Sequence, residues 1–173
     1  MKCNQILVLF ILLGLNSCSD KQTTADDGIY FQDFDNVKMW ARDQGNISDK
    51  HARSGKYSAR TGGDVEYSQT FEMDYKEALA FGCKGIQVSG WILKENNDAK
   101  GRLVLSIESP TGSEVYETAD IKDVTTGSQK WEQANLFVRV PESVKEGSKI
   151  KVYFWSPEKS EVYLDDVLVQ LHK

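Results

Sequence analysis

The chain has 173 residues, with 26 acidic and 21 basic side chains, two histidines and a net charge of −5. That length suits one domain, large enough to bury roughly two thirds of the surface its unfolded chain exposes. No lysine/arginine stripe is present, which excludes the electrostatic footprint of a nucleic-acid binder.

Lys2 gives a short positive start, and Ile6 to Leu15 is an unbroken apolar run. Such a run is too short for a bilayer core about 30 Å thick, which takes roughly 20 residues. It matches the apolar region of a secretory signal and lacks the polar face of a packed helix. The run closes as Leu15-Asn16-Ser17-Cys18, which resembles the lipobox of bacterial lipoproteins, with Asn16 where a smaller residue is more usual. The resemblance implies a lipoprotein signal peptide at 1–17, cleavage before Cys18, and a covalent lipid on Cys18. Several acyl chains, such as palmitate, would make that membrane anchor stable. Residues 18–27 are polar, carry no large apolar side chain, and read as a lipidated flexible tether. Asp20, Asp26 and Asp27 resemble the acidic export signal of Bacteroidetes lipoproteins, so the expected location is the bacterial outer membrane, facing outward.

Cys3 would leave with the signal and Cys18 would carry lipid, so only Cys83 remains and no disulfide can form within the domain. Cys83 reads as a small buried hydrophobe. A catalytic thiol needs a base, and neither His51 nor His172 lies in a nucleophile signature.

From residue 28 onward the apolar pattern has period two. It predicts strands at 28–34, 56–61, 66–73, 85–93, 102–108, 113–120, 131–140, 149–155 and 161–171, with a helical turn or two at 75–81. Turn phrases separate them: Thr61-Gly62-Gly63-Asp64, Glu95-Asn96-Asn97-Asp98, Ser109-Pro110-Thr111-Gly112, Thr125-Thr126-Gly127-Ser128 and Ser156-Pro157-Glu158-Lys159. Many short strands joined this way make an antiparallel sandwich or barrel.

Two strands show what their second face carries. Ile150, Val152 and Phe154 share one side, and Lys151, Tyr153 and Trp155 the other. Ile86, Val88 and Ile92 oppose Gln87, Ser89 and Trp91 in the same way. Aromatic rings mixed with polar groups are what a concave binding face presents. In the last strand Tyr163, Asp165, Val167 and Val169 share parity, which points Asp165 at the core. A buried carboxylate needs a cation, a metal or backbone amides, and Arg53, Lys56 or local amides are at hand. Asp166, of opposite parity, reads as solvated.

Five phrases in order carry a resemblance across residues 28–173: Asp33-Phe34-Asp35 followed by Trp40; His51-Ala52-Arg53-Ser54-Gly55-Lys56-Tyr57-Ser58; Val88-Ser89-Gly90-Trp91; Trp131 with Val140-Pro141; and Val162-Tyr163-Leu164-Asp165-Asp166-Val167. Together they resemble the CenC-like carbohydrate-binding modules of the galactose-binding-like fold. The resemblance implies an all-β, antiparallel two-sheet jelly-roll sandwich of about nine strands. It also implies a structural calcium (Ca2+) near Asp33 or Asp35, the Ser54 and Lys56 carbonyls, and Asp165. Calcium takes six to eight hard oxygen ligands.

Sugars stack their C–H faces on aromatic rings and are read by planar polar groups. The candidate rings are Tyr153 and Trp155, then Trp91; the polar candidates are Gln87, Gln133, Asn135 and Arg139. Trp40 and Trp131 read as core rings. No signature isolates a glycosidase carboxylate pair, no nucleophile elbow is present, and no histidine cluster or lyase-type His/Tyr/Arg set is visible. The expected function is therefore not enzymatic: a cell-envelope lipoprotein that binds a poly- or oligosaccharide. The alternative is a protein-interaction or scaffolding lipoprotein without sugar binding.

Overall fold

The computed structural model describes residues 27–35 and 46–173. The signal, Cys18, most of the tether and Trp40 lie outside the described residues. The described chain forms an antiparallel two-sheet jelly-roll sandwich. Its strands are β1 (Ile29–Gln32), β2 (Asn46–Ser48), β3 (Ser58–Thr61), β4 (Phe71–Asp74), β5 (Gly85–Lys94), β6 (Arg102–Ser109), β7 (Gly112–Asp120), β8 (Glu132–Arg139), β9 (Lys149–Trp155) and β10 (Val162–His172). Two short helices, α1 (Tyr75–Phe81) and α2 (Ile121–Val124), interrupt them.

One sheet has the order β2-β3-β10-β5-β8, with β1 also paired to β10; the other has the order β4-β9-β6-β7. Alternation explains both. In β9 Ile150, Val152 and Phe154 are buried while the residues between them are half-exposed. They meet Leu103, Leu105 and Ile107 of β6 within the four-stranded sheet. Ile86, Val88, Leu136, Val138, Val167 and Val169 close the core from the six-stranded sheet. Each such side chain, fully buried, contributes about 1.5–3 kcal/mol.

The predicted helix forms at 75–81. It ends at Gly82, whose φ of 85° is a left-handed C-cap that a Cβ would strain. The predicted strands at 56–61 and 66–73 start late, at Ser58 and Phe71. The first delay has a clear cause: the Asp35 carboxylate accepts the Lys56 and Tyr57 amides (2.8 and 3.1 Å) and locks that stretch as a turn. Gly55, with φ 56°, passes so close to Asp35 that an added Cβ would sit 1.3 Å from Oδ2. Strand β2 and helix α2 have three and four residues, too short to show a period in sequence.

Two readings of single residues change. Trp131 is half-buried and outside the core cluster. The single parity read through β10 fails at Asp165-Asp166, where the pairing with β5 shifts register and Asp166 has φ 46°. Val162 and Leu164 face the core before this bulge, and Val167, Val169 and Leu171 after it. Asp165 is buried, but on the outer side of the sheet with its partner Trp91. Asp166 is buried as well. Cys83 is buried as expected; its Sγ donates to the Gly85 carbonyl, and burial pushes the thiol pKa up.

The sandwich has two distinct ends. At one, Gly85 pairs with Arg139 and His172, Lys149 with Asp74, and α1 joins the two sheets. The chain also enters here, since the Leu171 amide donates to the Gly28 carbonyl. At the other, Arg102 pairs with Trp155 and Asp120, and Lys94 with Val162.

Candidate functional site

The outer face of the four-stranded sheet gathers rings from three segments. Register places Trp155 of β9 opposite Arg102 of β6, and Arg102 opposite Asp120 of β7; Tyr67 bridges to Trp155 from the far side. The next row is Tyr153, Val104 and Thr118, and the next is Glu72, Lys151, Ser106 and Tyr116. The Tyr67 and Trp155 rings are 6.3 Å apart and 9° from parallel, and Tyr67 is 5.8 Å from Tyr153. Val104 and Ser106 point outward from the core yet are fully buried. They form a floor beneath the large side chains of neighbouring strands.

Polar groups on this face are ordered. Arg102 lies 5.3 Å from the Trp155 ring and pairs with Asp120 at 3.2 Å. Lys151 pairs with Glu108 at 2.5 Å and Lys149 with Glu72 at 2.5 Å. Ser106 Oγ donates to Glu108. Burial, then the neighbouring Tyr116, Glu108 and Tyr67, pushes the Tyr153 phenol up to about 12, so it stays neutral at physiological pH. The Trp155 indole Nε1 is buried without a hydrogen-bond partner among the described residues. Rings in a near-parallel pair, a neutral phenol and a paired guanidinium make a surface suited to stacking on and hydrogen bonding a flat polyhydroxylated ligand.

The structure brings Tyr153 and Trp155 together here and separates them from the other predicted contacts. Trp91, Gln87, Gln133, Asn135 and Arg139 lie on the outer face of the six-stranded sheet, on the opposite side of the sandwich. A single groove through all seven side chains is therefore ruled out. Parity within a strand reveals which residues leave the core, but it is the same pattern in either sheet. Trp91 is also covered: the Arg53 guanidinium lies 3.9 Å from the ring centroid and ion-pairs with Asp166. Gln87, Gln133, Asn135 and Arg139 are exposed.

The loop at 49–56 seals this part of the second face. Asp165 Oδ2 accepts the Arg53 and Ser54 amides at 2.7 and 3.3 Å, and Oδ1 accepts the Asp166 amide at 2.7 Å. Of the compensations open to a buried carboxylate, backbone amides are the one seen. Burial still pushes the Asp165 carboxyl up to about 6, against those bonds. Ser54 Oγ donates to Asp166 at 2.6 Å. Beside them, His51 Nε2 is 3.1 Å from Glu95, Lys50 bridges Glu95 and Glu161, and the fully buried Tyr163 donates to Glu161 at 2.5 Å. This closed cluster pins the loop.

The calcium set can be placed in the same terms. Asp35 faces residues 56–57 and Asp165 faces residues 53–54 from the other side. Asp33 turns to its own loop, where Oδ1 accepts the Asp35 amide at 3.1 Å. These are hard oxygen donors, the right kind for calcium, but each is engaged with N–H groups. Among the described residues no three His, Cys, Asp or Glu side chains are grouped as a metal set.

Sequence reasoning missed Tyr67, Tyr116, Arg102 and Asp120. A usable signal was present in β6, where Arg102, Val104 and Ser106 alternate with the core residues Leu103, Leu105 and Ile107. Tyr67 precedes β4 and joins the face through an isolated bridge to Trp155, a contact between distant segments.

The fold is a two-sheet antiparallel jelly roll, the fold also seen in carbohydrate-binding modules. The chain is similar to the C-terminal family 22 carbohydrate-binding module of Clostridium thermocellum Xyn10B, at TM-score 0.60 and 13% identity over 86% of this chain and 95% of that one. It is similar to the second family 22 xylan-binding domain (CBM22-2) of Paenibacillus barcinonensis Xyn10C, at TM-score 0.57 and 18% identity over 83% and 99%. A xylan-binding domain of the same family gives TM-score 0.58 at 14% identity over 82% and 93%. At these identities the likeness is one of fold. No family model matches the sequence, and no curated protein matches it.

Proposed function

We propose that this chain is a glycan-binding module of the bacterial envelope, without catalytic activity, that holds a poly- or oligosaccharide on the outer face of its four-stranded sheet. The observation that carries this reading is the cluster of Tyr67, Tyr153 and Trp155 flanked by Arg102 and Asp120. The fold likeness to modules described as xylan-binding supports it and makes xylan the first ligand to try. The lipobox-like Leu15-Asn16-Ser17-Cys18 supports anchoring through Cys18 on the outer membrane, facing outward. Binding without chemistry suits an anchored protein, because its output is local retention.

The test is affinity electrophoresis of the protein through gels containing xylan and a panel of plant, algal and host glycans. Retardation by at least one glycan, lost in Trp155→Ala, is the expected result. Retardation by none overturns the reading and favours the scaffolding alternative.

A structural calcium at the turn flanked by Asp33, Asp35, Ser54, Lys56 and Asp165 is a separate part of the proposal. Its support is the resemblance of the Asp33-Phe34-Asp35, Ser54-Gly55-Lys56 and Asp165-Asp166 phrases to calcium-holding modules, and Asp35 and Asp165 would exchange their amide bonds for the ion. A calcium-dependent melting temperature is expected, and one that EDTA leaves unchanged overturns it.

A further inference from the structure

Five large apolar side chains are exposed among the described residues: Ile29, Tyr67, Leu79, Tyr116 and Phe137. Tyr67 and Tyr116 belong to the aromatic face. The other three lie toward the end of the sandwich where the chain enters. Phe137, Gln87, Gln170 and Ile29 form one row across β8, β5, β10 and β1. Phe137 packs edge-on against His172, 5.8 Å away. Leu79 is on α1, which closes this end, and Phe81 of the same helix packs against Gly28 and beneath the Lys173 ammonium, 4.4 Å from its ring.

Single exposed apolar side chains are ordinary on a protein surface, so these three indicate a contact surface only with a second observation of what meets them. Here the chain itself supplies it. From Cys18 to Asp27 it can extend no more than about 30 Å. A lipid on Cys18 would tether the sandwich from this end and keep it within about 30 Å of the bilayer. Of the cations at this end, Lys76 and Lys149 pair with Glu146 and Glu72, while Lys84, Arg139, Lys145 and Lys173 make no ion pair among the described residues. Carboxylates are present here too: Asp27 on the entering chain, Asp74 and Glu77 at α1, and Glu142 and Glu146 in the loop between β8 and β9. Long basic side chains interleaved with apolar ones suit a headgroup layer, where the stems bury and the charges reach water or phosphate. The Tyr67–Trp155 pair lies at the opposite end, and β10, with 11 residues, spans about 36 Å between them.

We infer that the end carrying Ile29, Leu79 and Phe137 rests on the bilayer surface and so holds the aromatic face outward at the far end. This goes beyond the proposed function and rests on its lipid anchor at Cys18.

The test uses the full chain, matured in a bacterial host and reconstituted into vesicles of phosphatidylethanolamine and phosphatidylglycerol. Leu79→Cys and Asn97→Cys place a fluorophore at the two ends; Cys83 is buried and labels slowly. Nitroxide-labelled lipid is expected to quench the label at position 79 several-fold more than that at position 97. Glutamate at both 29 and 137 is expected to remove the difference and leave glycan retardation unchanged. Equal quenching overturns the orientation. So does a label at position 79 that is shielded from a water-soluble quencher but untouched by the lipid one, which would assign this end to a protein partner. Failure of the wild type to float with vesicles overturns the anchor and this inference with it, whereas failure on glycan gels bears only on the binding face.

Discussion

The rings of Tyr67 and Trp155 lie 9° from parallel, although 88 positions separate them, and the Arg102 guanidinium lies 5.3 Å from the Trp155 ring. The pair exists because the stretch before β4 bridges to the last residue of β9. If this surface holds sugar, Trp155→Ala and Tyr67→Ala should each weaken binding by on the order of tenfold or more. Far-ultraviolet circular dichroism should be unchanged, since both rings sit outside the core. Calorimetric titration with the best glycan from the panel checks this.

Trp91 should behave differently, because Arg53 already covers it. Removing that cation also leaves Asp166 buried without its ion-pair partner. Arg53→Ala is expected to destabilise the fold by about 1–3 kcal/mol, at the low end of losses for buried pairs because Arg53 is partly exposed. Glycan affinity should stay constant. Denaturant unfolding and titration of one preparation separate the two effects, and a lost affinity at unchanged stability would return Trp91 to the binding site.

The contrast between these two tryptophans shows what was legible in the chain. Most strands and most core residues followed from period-two patterning, residues 75–81 stood apart from it as a helical turn, and Tyr153 and Trp155 were identified as leaving the core. Assignment of strands to sheets was not legible, because β5 and β9 carry the same alternation in different sheets. Tyr67 and Arg102 were invisible as partners of Trp155, since their proximity depends on pairing between distant segments. Asp165 was read as buried, correctly, but on the wrong side of its sheet, because a register shift has no signature in alternation alone.

Glu132 should contribute to acid sensitivity, alongside Glu95 and Glu161, whose carboxyls are also held down by hydrogen bonds from Lys50 and Tyr163 respectively. The Glu132 carboxylate accepts the Thr126 hydroxyl and amide, both at 2.7 Å, and pairs with Lys130; these hold it down to about 2. A carboxylate whose pKa is lower in the folded state stabilises the fold above its unfolded pKa, and that stability is lost as pH falls toward the folded value. The loss should therefore run from about pH 4.5 down to about 2. Glu132→Gln should reduce stability at pH 7 and flatten this acid limb. Melting temperatures of both proteins from pH 7 to pH 2 test it, and parallel curves would remove Glu132 as a cause.

Gly55→Ala should be far costlier than its size suggests. Its Cβ would fall 1.3 Å from Asp35 Oδ2 and strain a residue at φ 56°. The Asp35 bonds to Lys56 and Tyr57 would break together. A loss of several kcal/mol is expected by analogy with other strained-backbone substitutions, read as a fall in the denaturant midpoint. A near-wild-type midpoint would show that the turn can relax without Asp35.

The register shift at Asp165-Asp166 also bears on how this fold can change over time. Side chains along β10 switch faces there, so the bulge keeps two halves of one long strand in phase with the same core. Between Asp165 and Leu168 the β10 strand takes three steps where β5 takes two, so deleting that one extra residue would leave a regular ladder with Val167, Val169 and Leu171 still on the core, whereas deleting a residue elsewhere in β10 would turn every side chain beyond it to the other face. A change in length by one residue is therefore accommodated at the bulge and nowhere else along the strand. Related chains with a shorter β10 should accordingly lose a residue at positions 165–166, where the contacts to Arg53 and Ser54 go with it, and keep the count on either side.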